Sequence, residues 1–234
     1  MSATSTPLVE MRVWGVDRVG PALLRMATGR LAVRGVPGLR FAKLLGTGSG
    51  RTFTPRDADP HHWALLTVWD DEAAADAHAR SAYVGAWGDA AREELVVRME
   101  PLTTRGRWSG AEPFEPVRAG SVDTTSAEPV AAITRARLRT SRTLSFWRAV
   151  PPVVTSLASA PGSRLALGIG EAPVGLQGTF SLWRSEADLT DFAYRGAAHL
   201  DVMRRTRPER WYAEELFARL RVLSVRGTHQ GRTP

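Results

Sequence analysis

Five histidines, His61, His62, His78, His199 and His229, are the side chains able to ligate iron or exchange protons near neutral pH. No two of them have the HExxH spacing or any other two-histidine metal spacing. His61 and His62, in the Asp57–Trp63 stretch, read as a solvated loop pair. His78 lies in an alanine-rich helical stretch and reads as a surface or packing residue. His229 falls where an internal repeat places Trp108, which suggests packing. His199, in Ala197–Ala198–His199–Leu200, differs because it stands beside an insertion in the second copy of that repeat. A single neutral imidazole there could be the proximal ligand of a haem, which needs only one strong axial donor; a plain packing role stays open. The chain has no cysteine, which excludes thiolate-ligated haem, thiolate metal sites, disulfides and a cysteine nucleophile. Tyr83, Tyr194 and Tyr212 are the remaining axial-ligand types.

Two carboxylate pairs, Glu93–Glu94 and Glu214–Glu215, could carry acid–base chemistry. They recur in both copies of the repeat, which points to structure, such as ion pairs at helix ends. Gly46–Gly50 (GTGSG) follows a strand pattern, but no GK[ST] follows it and no helix opens there. It reads as a turn, not a phosphate cradle. Gly168 and Gly170 recur at the matching place. Eight tryptophans are present; Trp147 and Trp211 lie in aromatic clusters that could fill core or line a pocket in a barrel.

The formal charge is +7, from 31 basic and 24 acidic residues. Lys43 is the only lysine, so the excess is mainly an arginine-for-lysine habit. The arginines are interleaved with acids, and the densest run, Arg204–Arg210, lacks the aromatic platform of a single-strand binder. No nucleic-acid partner is expected. Met1–Pro7 is polar and lacks the apolar centre of a leader. No apolar run approaches the roughly 20 residues of a spanning helix. A cytoplasmic protein with at most peripheral membrane contact is expected.

The elements that must hold these residues come in duplicate. Glu93, Glu94, Leu95, Arg98, Leu102, Arg105, Gly106 and Gly110 meet Glu214, Glu215, Leu216, Arg219, Leu223, Arg226, Gly227 and Gly231 at a constant offset. Trp69 and Glu72 meet Trp183 and Glu186. Each copy reads as βαββαβ. In the first copy, strands are expected at Val9–Val16, Leu39–Leu45, Trp63–Trp69 and Glu100–Arg107, with helices at Val19–Val33 and within Asp71–Arg98. In the second, strands are expected at Val130–Leu138, Ser163–Ile169, Gln177–Trp183 and Arg221–Thr228. Its helices are expected at Arg142–Leu157 and at Glu186–Arg204, continuing through Trp211–Arg219. Two ferredoxin-like repeats, residues 8–108 and 130–229 with a linker at 109–129, would close one intrachain α+β barrel of the dimeric type. A ligand cavity is expected between its sheets.

Several segments together resemble the spheroidene monooxygenase family, haem-containing carotenoid oxygenases, and its homologues. They are Arg40–Gly50 (RFAKLLGTGSG) with Phe53–Pro55, Trp108–Phe114 (WSGAEPF), Ile133–Arg135 (ITR), Phe146–Pro151 (FWRAVP), Gly170–Pro173 (GEAP), Gln177–Trp183 (QGTFSLW), Ala198–His199 and Trp211–Arg219 (WYAEELFAR). The resemblance implies a haem monooxygenase that takes O2, electrons from a donor such as reduced ferredoxin, and a hydrophobic substrate, a carotenoid that gains a keto group. It implies His199 as iron ligand in the second repeat. Phe146, Trp147 and Arg148 would line the pocket, with Gln177 and Trp211 as further lining. Arg148 or Arg195 would meet the haem propionates. Other chemistries on the same frame are an N-oxygenase, an aldoxime-dehydratase-like lyase, a cofactor-independent monooxygenase and a non-enzymatic haem-binding barrel.

Overall fold

The structure is a computed structural model that describes residues 7–49, 57–115, 127–142, 160–171, 178–195 and 211–234. Strand β1 (Leu8–Val16) shows why the chain folds inward from its start. Its odd residues Val9, Met11 and Val13 face the barrel interior, while Leu8 and Trp14 face the helices; all nine residues are buried. Alternation on a pleated strand sends successive side chains to opposite faces. Helix α1 (Val19–Ala32) follows, then β2 (Leu39–Gly48), β3 (Ala58–Trp69), α2 (Glu72–Ala79), α3 (Ala82–Gly88) and β4 (Ala91–Gly106). The second half contributes β5 (Val130–Leu138), β6 (Ser163–Gly170), β7 (Gly178–Trp183), α4 (Glu186–Arg195) and β8 (Tyr212–Gly227).

The eight strands close into a barrel in the order β1-β3-β2-β6-β7-β5-β8-β4. Each half therefore runs 4-1-3-2 in its own numbering, the ferredoxin-like order. The halves meet at two joints. The long one pairs β4 with β8 from Leu95↔Gly227 to Gly106↔Leu216. The short one is Gly46↔Gly170, Thr47↔Ile169 and Gly48↔Gly168. The middle of the barrel is filled by Met11, Leu66, Val97, Ile133, Phe180 and Leu220, all fully buried. Among the described residues the middle of the barrel is therefore packed with side chains and is not the ligand space expected between the sheets.

Outside the barrel, the repeated residues form matching ties. Arg98 donates to Glu72 at 2.7 Å, and Arg219 donates to Glu186. The Trp69 indole donates to Thr67, and that of Trp183 to Ser181. Gly106 and Gly227 end β4 and β8 with φ of +93° and +85°; a Cβ at either would lie 2.1 or 1.9 Å from a carbonyl oxygen of the other half. Glycine is required at both for that conformation and that approach.

Three expectations need correction. The helix expected within Asp71–Arg98 ends at Gly88, and Arg92–Arg98 belongs to β4. Likewise Tyr212–Arg219 is strand, not a helical continuation. In both, glutamate and alanine favour helix, but Leu95, Val97 and Met99, and Leu216, Ala218 and Leu220, alternate into the core. That tertiary burial overrides propensity. The glycine stretch at 46–48 is not a turn but the continuation of β2 into the short joint. Of the expected helix Arg142–Leu157, only Arg142 is described, ending a 3-10 turn (Thr140–Arg142). No described helix is long and apolar enough to cross a membrane.

Candidate functional site

The mouth of the second half is built from strand ends. Arg135 on β5 is level with Gly178 on β7 and Leu216 on β8. It lies two residues beyond inward-facing Ile133, so its side chain also points inward. Buried within the mouth, Arg135 donates to Glu171 at 3.0 Å and to Glu214. Glu171, just past β6, also accepts from Lys43 on β2, at 2.6 Å, and from the Trp108 indole. Lys43 reaches the Ser109 hydroxyl at 2.7 Å. Glu214 accepts from the amides of Ser109 and Gly110 at 2.9 and 2.8 Å. Phe41 packs edge-on to Trp108, and the Arg135 guanidinium lies over the Trp108 ring. Burial pushes the Glu171 carboxyl up, but Lys43, Trp108 and Arg135 outweigh it and lower its pKa. The Glu214 carboxyl is likewise raised by burial and lowered further by the two amides and Arg135. Both carboxylates are thus held ionised across the neutral range, and the Arg135 Nε–H is buried with no partner among the described residues.

The opposite mouth carries histidine chemistry. His62, on β3, is not a solvated loop residue: it is 4% exposed and faces inward opposite Gly15. A Cβ on Gly15 would lie 2.7 Å from the Glu93 side chain, so the glycine leaves room for the cluster. His62 Nδ1 lies 2.6 Å from Asp59 and Nε2 lies 3.0 Å from Glu93. His61 Nδ1 meets the Val16 carbonyl. His229 packs edge-on to His62, with ring centroids 4.7 Å apart. Glu93 accepts from the amides of Gln230 and Gly231 at 3.0 and 2.9 Å. Its carboxyl is pushed up by burial but held at about 2 by the Gly231 amide, His62, the Gln230 amide and the Thr228 hydroxyl. The hydrogen bond with Asp59 raises the pKa of His62, and the same bond lowers that of Asp59. Burial lowers the pKa of His229, and the facing His62 adds to this. Among the described residues no group of three or more His, Asp or Glu is placed to hold a metal ion.

The glutamate pairs thus have structural roles, as their recurrence suggested, but on strands and not at helix ends. Glu94 pairs with Arg12 at 3.0 Å and Glu215 with Arg105 at 3.8 Å. His78 packs beside Trp69, outside the barrel, and burial lowers its pKa. His199, Phe146, Trp147, Arg148 and Gln177 lie outside the described residues, as does the Arg195 side chain. Trp211 is fully buried at the second-half mouth, where its carbonyl accepts from the Arg139 amide at 2.8 Å. Four of the six residues flanking the undescribed segments of the second half, Arg142, Glu171, Gly178 and Trp211, lie at the end of the barrel that holds Arg135, whereas Ala160 lies at the other end, beside Val130 and Trp183. Sequence reasoning singled out segments around this mouth but missed its ionic members. Their signals were the lone lysine, the Arg of ITR and the Glu of GEAP.

Two ferredoxin-like halves closed into one eight-stranded barrel, with an ionic cluster at each mouth, define a dimeric-type α+β barrel within a single chain. An aldoxime dehydratase crystal structure shares this fold, with a TM-score of 0.55 at 12% identity over 93% of this chain and 82% of that one. Residues 22–90 match the antibiotic biosynthesis monooxygenase family. The chain is 35% identical to a spheroidene monooxygenase of Rhodobacter capsulatus, over 94% of this chain and 90% of that protein. It is 33% identical to one of Cereibacter sphaeroides, over 96% of this chain but spanning only 66% of that relative's length. The chain belongs to the spheroidene monooxygenase family, a family of oxidoreductases.

Proposed function

We propose that this chain is a haem-dependent monooxygenase that inserts an oxygen atom from O2 into a hydrophobic substrate, a carotenoid that gains a keto group, with electrons from a donor such as reduced ferredoxin. The observation that carries the reading is the family likeness, which runs over nearly the whole chain. The second-half mouth fits the group. Phe41 and Trp108 supply apolar surface there, and the buried Arg135 Nε–H has no acceptor among the described residues. His62 has both ring nitrogens engaged, His229 belongs to the opposite mouth and His78 lies outside the barrel. By the family resemblance, His199 would be the iron ligand. Phe146, Trp147, Gln177 and Trp211 would wall the group, and Arg148 or Arg195 would meet its propionates.

Bound haem would supply the centre at which dioxygen is activated. The chain's own part is to exclude bulk water with apolar walls and to hold the mouth rigid. Glu171 does the second task by tying Lys43, Arg135 and Trp108 to one carboxylate. The purified protein is expected to show a Soret band that shifts with dithionite, and His199→Ala is expected to lose it. A colourless protein that ignores added hemin overturns the haem reading; a mutant that keeps haem overturns only the ligand. Expression in a carotenoid-producing host is expected to yield a keto-carotenoid. An unchanged pigment profile from a haem-loaded protein overturns the substrate assignment.

A further inference from the structure

Helix α1 is apolar on both sides. Ala22, Met26, Gly29 and Val33 form the inner stripe, against Leu44, Tyr83 and Trp87. Leu23, Leu24 and Leu31 lie on the outer side and are 50%, 66% and 74% exposed. Among the described residues of the first half they are the exposed large hydrophobics, gathered on one helix. Exposed Ala27 continues the stripe between Leu24 and Leu31. The polar group on this face, the Thr28 hydroxyl, is turned back onto the Leu24 carbonyl at 2.9 Å. It offers little to a hydrogen-bonding protein partner.

The charges carried by this segment itself have one sign. Residues 18–34 contain Arg18, Arg25, Arg30 and Arg34 and no acid. Arg18, Arg30 and Arg34 are exposed, while Arg25 leans over the Trp87 ring. The nearest preceding acid, Asp17, is paired with Arg92. A leucine ridge rimmed by arginines matches an anionic lipid surface. The leucines enter the headgroup–acyl boundary while the arginines reach phosphates, their stems lying on apolar surface. One convex helix offers far less than the roughly 800 Å² per partner of a stable protein interface. A bilayer needs no such complementary area.

We propose that the outer face of α1, through Leu23, Leu24 and Leu31 with Arg18, Arg30 and Arg34, docks the barrel onto anionic lipid membranes. The face is separate from both mouths and does not depend on what the barrel oxidises.

The full chain would be tested by co-sedimentation with vesicles of phosphatidylcholine alone and of phosphatidylcholine doped with phosphatidylglycerol. Binding is expected for the doped vesicles and to weaken as salt rises. The double variant L24E/L31E changes exposed positions only, and retained fold is checked by circular dichroism and thermal unfolding. It is expected to lose at least about tenfold in partitioning, because two buried leucines and two like charges are at stake. R18Q/R30Q/R34Q is expected to lose the preference for anionic vesicles. Wild type that stays with the supernatant, or a folded L24E/L31E that binds as well as wild type, overturns the proposal. So does a wild-type dimer that becomes monomeric in L24E/L31E without vesicle binding, which would give the face to a second copy of the chain.

Discussion

At one mouth Glu93 accepts the amides of Gln230 and Gly231; at the other Glu214 accepts those of Ser109 and Gly110. Each glutamate thus anchors the turn that ends the other half's last strand. Around this shared anchor the residues differ. Beside Glu93 stand His62, Asp59 and His229. Beside Glu214 stand Arg135, Glu171, Lys43 and Trp108. His229 and Trp108 hold matching positions, each in a bridge that closes its turn. The duplicated frame has been kept and its charges exchanged. One mouth now carries imidazoles whose proton affinity the fold shifts in opposite directions, and the other pairs guanidinium and ammonium groups with carboxylates.

The largest expected contrast comes from removing one carboxylate at each mouth. Glu171→Ala leaves buried Arg135 with Glu214 alone and Lys43 with no carboxylate. Breaking a buried pair by removing one partner costs about 3–5 kcal/mol. Glu93→Ala also frees two turn amides, which can find water at the exposed turn, and one buried ring nitrogen of His62, whose other nitrogen keeps Asp59. Its cost is expected near 1–3 kcal/mol. Urea unfolding of both variants measures the difference. Equal losses would show that the two ionic clusters are energetically alike, and the contrast would fail.

A smaller effect tests the shared frame. Gly106→Ala and Gly227→Ala each place a Cβ against a carbonyl of the opposite half at a positive φ. Each is expected to cost roughly 1–3 kcal/mol, with the two values close to one another. A large cost at one and none at the other would mean that the two ends of the β4–β8 joint are not equivalent.

The repeat made the frame legible from residues alone. Identical Trp, Glu, Arg and Gly positions marked both halves, and their order required a two-fold barrel. Strand β5 was placed to the residue, at Val130–Leu138. The Glu–Glu–Leu segments were misread because local propensity favoured helix, and only closure of the β4–β8 joint decides for strand. His62 was misplaced for a related reason. Asp59, Pro60 and His61 look like loop residues, yet β3 begins at Ala58 and carries His62 inward. The ionic mouth was invisible because its members come from Lys43, Trp108, Arg135, Glu171 and Glu214, far apart in sequence. No spacing rule joins residues that meet only when the barrel closes.

The subtlest contrast is in pH. The fold raises the pKa of His62, so the protonated form is favoured in the native state. That stabilisation is complete below about pH 6.5, the unfolded value, and is lost as pH rises through the raised native value. The fold lowers the pKa of His229, so its contribution is present above about pH 6.5 and is lost as pH falls. In the native protein the two oppose each other near neutrality. His78, whose pKa burial also lowers, adds to the His229 side, so both variants are made in a His78→Phe background, where substituting one exposes the other. His229→Phe, which keeps a ring against His62, should give stability that falls as pH rises from about 6 to 8. His62→Leu should give stability that rises over the same range. Either slope stays below about 1.4 kcal/mol per pH unit, the limit for one proton. Urea midpoints across this range read the sign directly. Two slopes of the same sign would mean that His62 and His229 do not divide the proton as their contacts with Asp59 and with one another require.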